Sequence, residues 1–349
     1  MSTPSLSIII PTLNEEKSLP PLLSSLAAQK NIEIEVILAD GGSDDSTRSL
    51  CQQLTGLFTL KVLKSAPGRG CQMNLGAQAS TAPDLLFLHA DSEIDDPYLL
   101  YNAQQHFSRY KHDPGKTNVA GHFGLRFLRE QTNYQAAYYF YESKTHLNRI
   151  DAINGDQGFW ISRQYFDALG GFDESLPYME DARLALKVFQ TGQWITLPGR
   201  LTTSARRFER EGLKQRQILN SFMCNFNAIG LDYFFTAALD AYQSQDKSQQ
   251  LTLAPFLRVA HQQMFRDGGW QAVKRWYQTG GYIADNAWQL AFAMDCNKNR
   301  GRAIPSGEGA TPCLHFHDRW LARIISSPPL RAATGLITIA WFYSLFLSR

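Results

Sequence analysis

A short apolar run that ends in imidazole and carboxylate side chains constrains this chain most. Residues 85–88 of the segment 84–92 (DLLFLHADS) are uninterrupted and apolar, which predicts a strand buried on both faces. His89, Asp91 and Ser92 follow at once. In open α/β sheets, ligands bind just beyond the carboxyl ends of strands. A carboxylate there suits a hard divalent cation that also takes oxygens from substrate phosphates.

Strand and helix patterns alternate in front of that run. Residues 7–10, 33–40 and 57–63 read as strands, and a one-sided leucine stripe (Leu19, Leu22, Leu23, Leu26) follows the first of them. This alternation predicts an α/β fold with a doubly wound, mostly parallel sheet. We place that domain at residues 1–240 and a helical accessory region at 241–349, after a polar linker at 243–250.

Composition narrows the class of protein. The 349 residues fit one large domain plus a smaller one, and 44% apolar and 19% charged residues are ordinary for a globular chain. Five scattered cysteines form neither a disulfide framework nor a zinc site, and the N-terminus lacks a signal-peptide pattern. We therefore expect a cytoplasmic protein. The net charge of +2 is near neutral and favours neither the presence nor the absence of an acidic partner. We expect no nucleic-acid partner.

The apolar segment 332–347 near the C-terminus admits two interpretations. Its sixteen residues are fewer than the roughly 20 that span a bilayer. A buried terminal helix and a membrane-associated anchor both fit this pattern.

Several motifs, taken in order, resemble those of family 2 glycosyltransferases with the GT-A fold. They cover residues 6–212, and the His-Ala-Asp spelling is similar to that of a bacterial subfamily. The motifs are IIIPTLNE (8–15), ADGGSDDST (39–47), GRG (68–70) with Asn74 and Gly76, LHAD (88–91), GDQG (155–158), GGFD (170–173), ED (180–181) and RRFEREG (206–212).

The resemblance implies an inverting glycosyltransferase of the EC 2.4 type. Such an enzyme moves a sugar from a nucleotide-diphosphate donor, most often a UDP-sugar, to an acceptor hydroxyl with the help of Mn²⁺ or Mg²⁺. The acceptor is left open by the sequence. The aromatic C-terminal region and its apolar tail favour a lipid-linked acceptor and a peripheral contact with the inner face of the cell membrane.

The resemblance also implies which residues bind the donor. These are Pro11, Thr12, Asn14, Glu15, Asp40, Gly41, Gly42, Ser43, Asp44, Arg69, Asn74, His89, Ala90 and Asp91. Two of them have a physical case of their own. Asp40 ends a buried strand, where its carboxylate can accept from an N–H on a base edge. Arg69 lies between two glycines at a helix start, where backbone N–H groups and a guanidinium together suit a phosphate.

Asp91 is the expected metal ligand. The family pattern Asp-x-Asp has an acid two residues earlier, and here that position is His89. Three roles stay open for His89: donation to the ribose or diphosphate, metal ligation through a ring nitrogen, or packing.

Inverting transfer needs a general base, and Asp181 matches the family's base, with Glu180 beside it. Helix capping is the alternative role for both acids. The resemblance places Asp156, Gln157 and Trp160 near the acceptor or the donor sugar, with Trp160 stacking on a sugar face. Arg206 and Arg207 would close over the diphosphate, or form a solvated helix start.

Two other functions are compatible with a nucleotide-binding α/β domain. A sugar-phosphate nucleotidylyltransferase would need a glycine-rich phosphate loop after the first strand, where this chain has PTLNE. A non-catalytic nucleotide-sugar-binding protein would account for His89 but not for Asp91 and Asp181.

Overall fold

The computed structural model describes residues 4–53, 58–111, 118–245 and 249–347. Their packing divides the chain into two compact units. The first unit comprises Met1–Arg129 and Tyr141–Ser204, and the second comprises Glu130–Phe140 and Ala205–Arg349. The boundary predicted at residue 240 rests on sequence composition and stays a prediction. Part of the predicted linker, residues 246–248, lies outside the described residues.

The first unit is built on an eight-stranded mixed sheet. Its strand order is β3-β2-β1-β4-β7-β6-β8-β5. The strands are β1 (Leu6–Thr12), β2 (Ile34–Asp40), β3 (Thr59–Lys64), β4 (Asp84–Phe87), β5 (Ser92–Glu93), β6 (Val119–Leu128), β7 (Phe159–Ser162) and β8 (Gln193–Ser204).

Strands β1 to β4 pair in parallel, as the alternation predicted. Strand β7 lies antiparallel between β4 and β6, and β5 lies antiparallel to β8, so the sheet is mixed. The antiparallel β7 places its first residues, and the turn before them, beside the carboxyl end of β4. Residues from both halves of the first unit therefore meet at one edge of the sheet.

Helices of the first unit cover the sheet. The predicted leucine stripe is confirmed, because all four leucines of the helix after β1 are buried in the core against β1 and β2. The helices are α1 (Leu19–Ala27), α2 (Thr47–Gln53), α3 (Arg69–Ala79), α4 (Leu99–Lys111), α5 (Gln135–Lys144, shared with the second unit), α6 (Arg163–Ala168) and α7 (Glu180–Thr191).

The second unit is helical in its described residues, as the aromatic-rich pattern predicted. Its helices are α8 (Arg206–Glu211), α9 (Leu213–Ala228), α10 (Tyr233–Gln243), α11 (Ala254–Phe265), α12 (Gly269–Asp285), α13 (Trp288–Gly301), α14 (Pro312–Phe316), α15 (Ala322–Ile325) and α16 (Pro328–Leu347). A π-helical turn, His317–Leu321, joins α14 to α15.

Helix α16 packs closely on α12 through glycines. A Cβ added to Gly280 would lie 2.8 Å from Gly335 Cα, so only glycine allows this approach. At one end of the contact, Arg331 Nη2 pairs with Asp285 Oδ1 at 2.9 Å. The predicted apolar segment 332–347 thus belongs to a 20-residue helix with one face packed inside the second unit.

The other face of α16 is exposed. By length and composition the helix could cross a membrane, and 11% of its most apolar stretch is buried. The interpretation as a buried terminal helix is therefore wrong for α16.

Candidate active site

The carboxyl ends of β1 and β2 hold a polar loop in place. Gly41 N–H donates to the Thr12 carbonyl oxygen at 2.9 Å, so the turn after β2 folds back over the end of β1. Gly42 and Ser43 N–H groups donate to the Asp40 carboxylate, and Arg48 Nε lies 2.8 Å from Asp40 Oδ2. Asp40 is buried and ties the whole turn to the strand end. Any contact with a base would use its remaining lone pairs.

The loop after β1 is bonded to the same turn. Asn14 has a positive φ of 58°, a conformation that asparagine tolerates better than most residues. Its N–H donates to Ser43 Oγ at 2.9 Å, and its Oδ1 accepts from Asp44 N–H at 3.0 Å. Glu15 N–H donates to Thr47 Oγ1 at 2.8 Å. The predicted nucleoside-binding residues therefore form one cross-linked loop pair at the sheet edge.

Arg69 begins α3, after Gly68, which has a φ of 131°. Its Nε lies 2.8 Å from Glu180 Oε1, while 38% of the arginine side chain stays exposed. Burial opposes the charged form, but the carboxylates of Glu180, Asp181 and Asp156 outweigh it and raise the pKa of Arg69. A cation is thus fixed at a helix N-terminus, facing the acids of α7.

Glu180 and Asp181 open α7 and have different surroundings. Glu180 is buried, and burial raises its pKa to about 7 against the opposing effect of Arg69. Its ion pair with Arg69 joins the start of α7 to the start of α3. Met179, just before it, has a left-handed backbone with a φ of 70°. Glu180 therefore positions Arg69, and Asp181 is the more accessible of the two acids.

The GDQG turn holds the Asp181 carboxylate. Gly155 N–H donates to Asp181 Oδ2 at 2.8 Å. A Cβ on Gly155 would lie 3.0 Å from that oxygen and 3.2 Å from His89 Nε2, so the His89 ring borders the same spot. The turn lies directly before β7, whose antiparallel pairing with β4 places it beside His89.

Asp156 lies within the same acidic group. Burial, together with the charges of Asp181 and Asp91, raises the pKa of Asp156 to about 7. Its Oδ1 is buried and has no hydrogen-bond partner among the described residues. Asp91, Asp156 and Asp181 therefore form one electrostatically coupled cluster with His89 and Arg69.

The donor set of this cluster fits a hard cation only in part. Among the described residues, no three His, Cys, Asp or Glu side chains form a group with metal-ligand geometry. Yet the unpartnered Asp156 Oδ1 and the nearby Asp91 are oxygen ligands. Mg²⁺ typically takes one or two carboxylates and completes its shell with substrate phosphates and water. The residues fit a cation that binds together with a diphosphate.

Two predictions for the acceptor side are wrong. Trp160 is 0% exposed and packs on Phe107 in the core, with ring centroids 6.0 Å apart, so it has no free face for a sugar. Gln157 is also fully buried, and its Nε2 donates to the Ala152 carbonyl at 2.7 Å. Trp160 faces the core because β7 is a central strand of the sheet, whereas Gln157 lies in the short turn before that strand.

Asn74 holds the GGFD turn against α3. Its Nδ2 donates to the Phe172 carbonyl at 3.0 Å and to Glu174 Oε1 at 2.8 Å, and its Oδ1 accepts from Phe172 N–H at 3.0 Å. Its contact with the donor stays a prediction.

The remaining predicted residues are placed as follows. Pro11 and Ala90 are buried, so only their backbone can contact a ligand. Arg206 and Arg207 are exposed at the start of α8 in the second unit, and their diphosphate role stays a prediction.

The sequence analysis did not predict one residue that shapes the site. Gln72 is buried in α3, and its Nε2 donates to the carbonyls of Thr12 at 2.8 Å and Ala39 at 2.7 Å. Through these two bonds it holds the ends of β1 and β2 against α3. A glutamine in an ordinary helix pattern has no sequence signal for this role.

Comparison with known proteins identifies the first part of the chain. Residues 7–170 match the family Glycosyl transferase family 2. Over 116 residues the chain is 32% identical to a 4,4'-diaponeurosporenoate glycosyltransferase of Staphylococcus haemolyticus, covering 32% of this chain and 30% of that protein. Over 97 residues it is 37% identical to a PGL/p-HBAD biosynthesis glycosyltransferase of Mycobacterium bovis, covering 27% of this chain and 38% of the relative. The matches thus span 30% and 38% of these two relatives' lengths.

A solved structure extends the likeness in fold. The crystal structure of S. aureus TarS 1-349 in complex with UDP superposes with a TM-score of 0.50 at 14% identity, covering 95% of this chain and 90% of that chain. The expected GT-A fold with a helical C-terminal region is confirmed. Over residues 7–170, the chain is similar to glycosyl transferase family 2.

Proposed function

We propose that this protein is an inverting glycosyltransferase that moves a sugar from a nucleoside-diphosphate donor, UDP-sugar first among the candidates, to an acceptor hydroxyl. One observation carries the proposal: Asp91, Asp156 and Asp181 converge with His89 and Arg69 at the carboxyl edge of the sheet. This reaction needs carboxylates, a positively charged side chain and a loop pair that can hold a nucleoside, and all of these lie at one sheet edge.

The nucleoside binds at the loops after β1 and β2 in this proposal. Asp40, Ser43 and Asn14 are mutually bonded there, so the loop is ordered before the ligand arrives. Such preorganisation lowers the entropic cost of binding.

The diphosphate lies between Arg69 and the acids. The Arg69 guanidinium keeps an exposed part while Glu180 holds its Nε. It is therefore oriented toward a ligand before one binds, and it can stabilise negative charge on the leaving diphosphate. Asp91 and Asp156 would hold a divalent cation, Mn²⁺ or Mg²⁺, with His89 as a further ligand or as a phosphate donor. Such a cation supplies positive charge for the leaving group.

Asp181 is the general base. Gly155 N–H donates to its Oδ2 and Ala182 N–H donates to its Oδ1 at 2.7 Å, and each carboxylate oxygen keeps a further lone pair that can take the acceptor hydroxyl proton. Removal of that proton as the hydroxyl attacks the anomeric carbon, from the face opposite the diphosphate, inverts the configuration. The metal's positive charge would also keep the neighbouring carboxyl of Asp156 ionised.

We also propose a cytoplasmic protein with a lipid-linked acceptor and a peripheral membrane contact. The exposed apolar face of α16 supports both. The region 1–240 would hold the catalytic parts and 241–349 the accessory ones.

Calorimetric titration tests the donor class. UDP, GDP and dTDP are titrated with and without Mn²⁺ into the wild type and into Asp91→Ala. We expect metal-dependent binding of UDP that weakens at least tenfold in the variant. Metal-independent binding that survives Asp91→Ala would contradict the metal assignment.

Products then separate the reaction classes. Incubation with a donor and an acceptor extract should release nucleoside diphosphate, and NMR of the product should show an inverted anomeric centre. Release of pyrophosphate would indicate a nucleotidylyltransferase. Binding without any product would indicate a binding protein.

A further inference from the structure

The outer face of α16 carries large apolar side chains. Leu336 and Ile337 are 68% and 70% exposed, and Trp341 is also exposed. The packed face of the same helix holds Gly335 and Phe342, and the Phe342 ring centroid lies 5.4 Å from that of Trp276. The helix is therefore apolar on both faces, whereas the outer face of a surface helix in a soluble domain is usually polar. We call Leu330, Ala333, Leu336, Ile337, Ala340, Trp341 and Leu347 the apolar face.

A second surface lies just before α16 in the chain. Phe316, Trp320 and Ile324 are spaced four residues apart through the π-helical turn, and each is more than half exposed. Arg319 and Arg323 are exposed beside them, and the Arg319 Cζ lies 5.3 Å from the centre of the Trp320 ring. We call these five residues the aromatic–arginine face.

The junction between the two surfaces is fixed. Arg331 Nε donates to the Ser326 carbonyl at 2.8 Å, and Ser326 Oγ donates to Asp285 Oδ1 at 2.6 Å. Asp285 also pairs with Arg331. The turn at residues 326–327 is thus tied to α12, so the two faces belong to one rigid part of the second unit.

We propose that the second unit carries a monotopic membrane-binding surface, in which the apolar face enters the acyl boundary and the aromatic–arginine face contacts anionic headgroups. Helices that lie in the bilayer interface combine apolar residues, aromatic rings and arginines in this way. The proposal deepens the membrane contact proposed above and does not depend on the transfer chemistry.

Charge favours a bilayer over a second copy of this chain. Arg319 and Arg323 flank the exposed rings, and two copies meeting through this surface would bring like charges together. Anionic lipid headgroups complement them, and each arginine near such a surface contributes about 1 kcal/mol, or about a fivefold gain in partitioning.

Packing favours an interfacial helix over a spanning one. To cross the bilayer, α16 would have to leave α12, which would break the Arg331–Asp285 pair and the close Gly280–Gly335 contact. It would also separate Tyr343 Oη from His261 Nδ1, now 3.0 Å apart. Lying on the membrane keeps all three contacts.

Vesicle co-sedimentation of the full chain tests the proposal. The probes are neutral phosphatidylcholine vesicles and vesicles with 30% phosphatidylglycerol. We expect the wild type to bind the anionic vesicles at least tenfold more strongly. Leu336→Glu/Ile337→Glu should abolish binding to both, and Arg319→Glu/Arg323→Glu should lower binding to anionic vesicles at least 25-fold.

A matched control keeps the test specific. Leu290→Glu/Met294→Glu adds the same charge at two exposed apolar positions of α13, and it should bind vesicles like the wild type. Circular dichroism and nucleotide titration of every variant show that the fold and the donor site are intact, so a failure of the donor proposal would be seen separately.

Several results would overturn the proposal. These are a wild type that binds neither vesicle, equal loss of binding in the α13 control, and a dimer that dissociates in Leu336→Glu/Ile337→Glu without any vesicle binding. Membrane-bound protein that resists carbonate extraction from cells would indicate a spanning helix instead.

Discussion

The two units differ in the kind of side chain that they leave exposed. In the first unit, apolar strands are buried and polar groups collect at one sheet edge, where nearly every side chain is held by another. In the second unit, α16 buries Gly335 and Phe342 but exposes Leu336, Ile337 and Trp341. The contrast teaches that a cluster of polar groups at a sheet edge indicates a site for chemistry, whereas an exposed apolar helix indicates a surface that contacts a membrane or another partner.

Removing the proposed base Asp181 should give the largest effect, and it should change catalysis in the first unit without changing membrane binding by the second. Asp181→Asn keeps the Gly155 contact but cannot take the acceptor proton, so we expect kcat to fall about 10³-fold, or about 4 kcal/mol. Nucleotide affinity and vesicle binding should stay within twofold of the wild type. Steady-state assays of diphosphate release measure the effect, and a variant with more than a tenth of normal activity would exclude Asp181 as base.

Crowding the α12–α16 contact should act on the second unit alone. Gly280→Ala places a methyl group against the backbone of α16, and we expect a loss of about 3 kcal/mol in the stability of this unit. The matched control is Gly281→Ala, whose Cβ would meet only the flexible Arg331 guanidinium at 3.4 Å. That change should be neutral or stabilising, since alanine favours helix. Calorimetric melting of both variants, with nucleotide titration, checks the pair.

The raised pKa of Asp156 predicts a pH-dependent stability in the first unit. The pKa of Asp156 is about 7 in the folded protein and lower in the unfolded chain. Its contribution to the free energy of unfolding is therefore fully present below the unfolded pKa, and it is lost as the pH rises through 7. Asp156→Asn stays neutral, so without metal it should be about 2 kcal/mol more stable than the wild type at pH 8, after allowance for partial exposure.

Denaturant midpoints at pH 4 and pH 8 measure this difference. The gap between variant and wild type should close at pH 4, where both side chains are neutral. A constant gap at both pH values would show that Asp156 does not titrate within the cluster.

The smallest effect is expected at the loop pair. Asp40→Asn weakens the bonds to Gly42, Ser43 and Arg48, and we expect nucleotide affinity to fall about fivefold, or about 1 kcal/mol. Glu33→Gln, an exposed change at the opposite end of β2, should leave affinity unchanged. Equal affinities for both variants would mean that the loop order does not matter for binding.

The sequence predicted the sheet edge well because local patterns encode it. Apolar runs that end in Asp40 or His89–Asp91 predict both a strand and what lies beyond it. The surroundings of Trp160 and Asn74 could not be predicted from the local sequence, because whether a side chain faces a ligand or the core depends on neighbours far along the chain. The antiparallel β7 decides the first case and the GGFD turn the second.

The length of α16 also could not be predicted from the local sequence pattern. Pro328 and Pro329 form its first turn, where proline is tolerated because no N–H is needed. That Arg331 lies inside the helix, paired with Asp285, depends on α12.

The contact of Gly155 with Asp181 has an evolutionary consequence. A Cβ at position 155 would lie 3.0 Å from Asp181 Oδ2 and 3.2 Å from His89 Nε2, so these side chains would have to shift by a few tenths of an ångström to make room. We therefore expect glycine to be favoured at this position, and new acceptor preferences to arise more readily at positions farther from the reacting atoms.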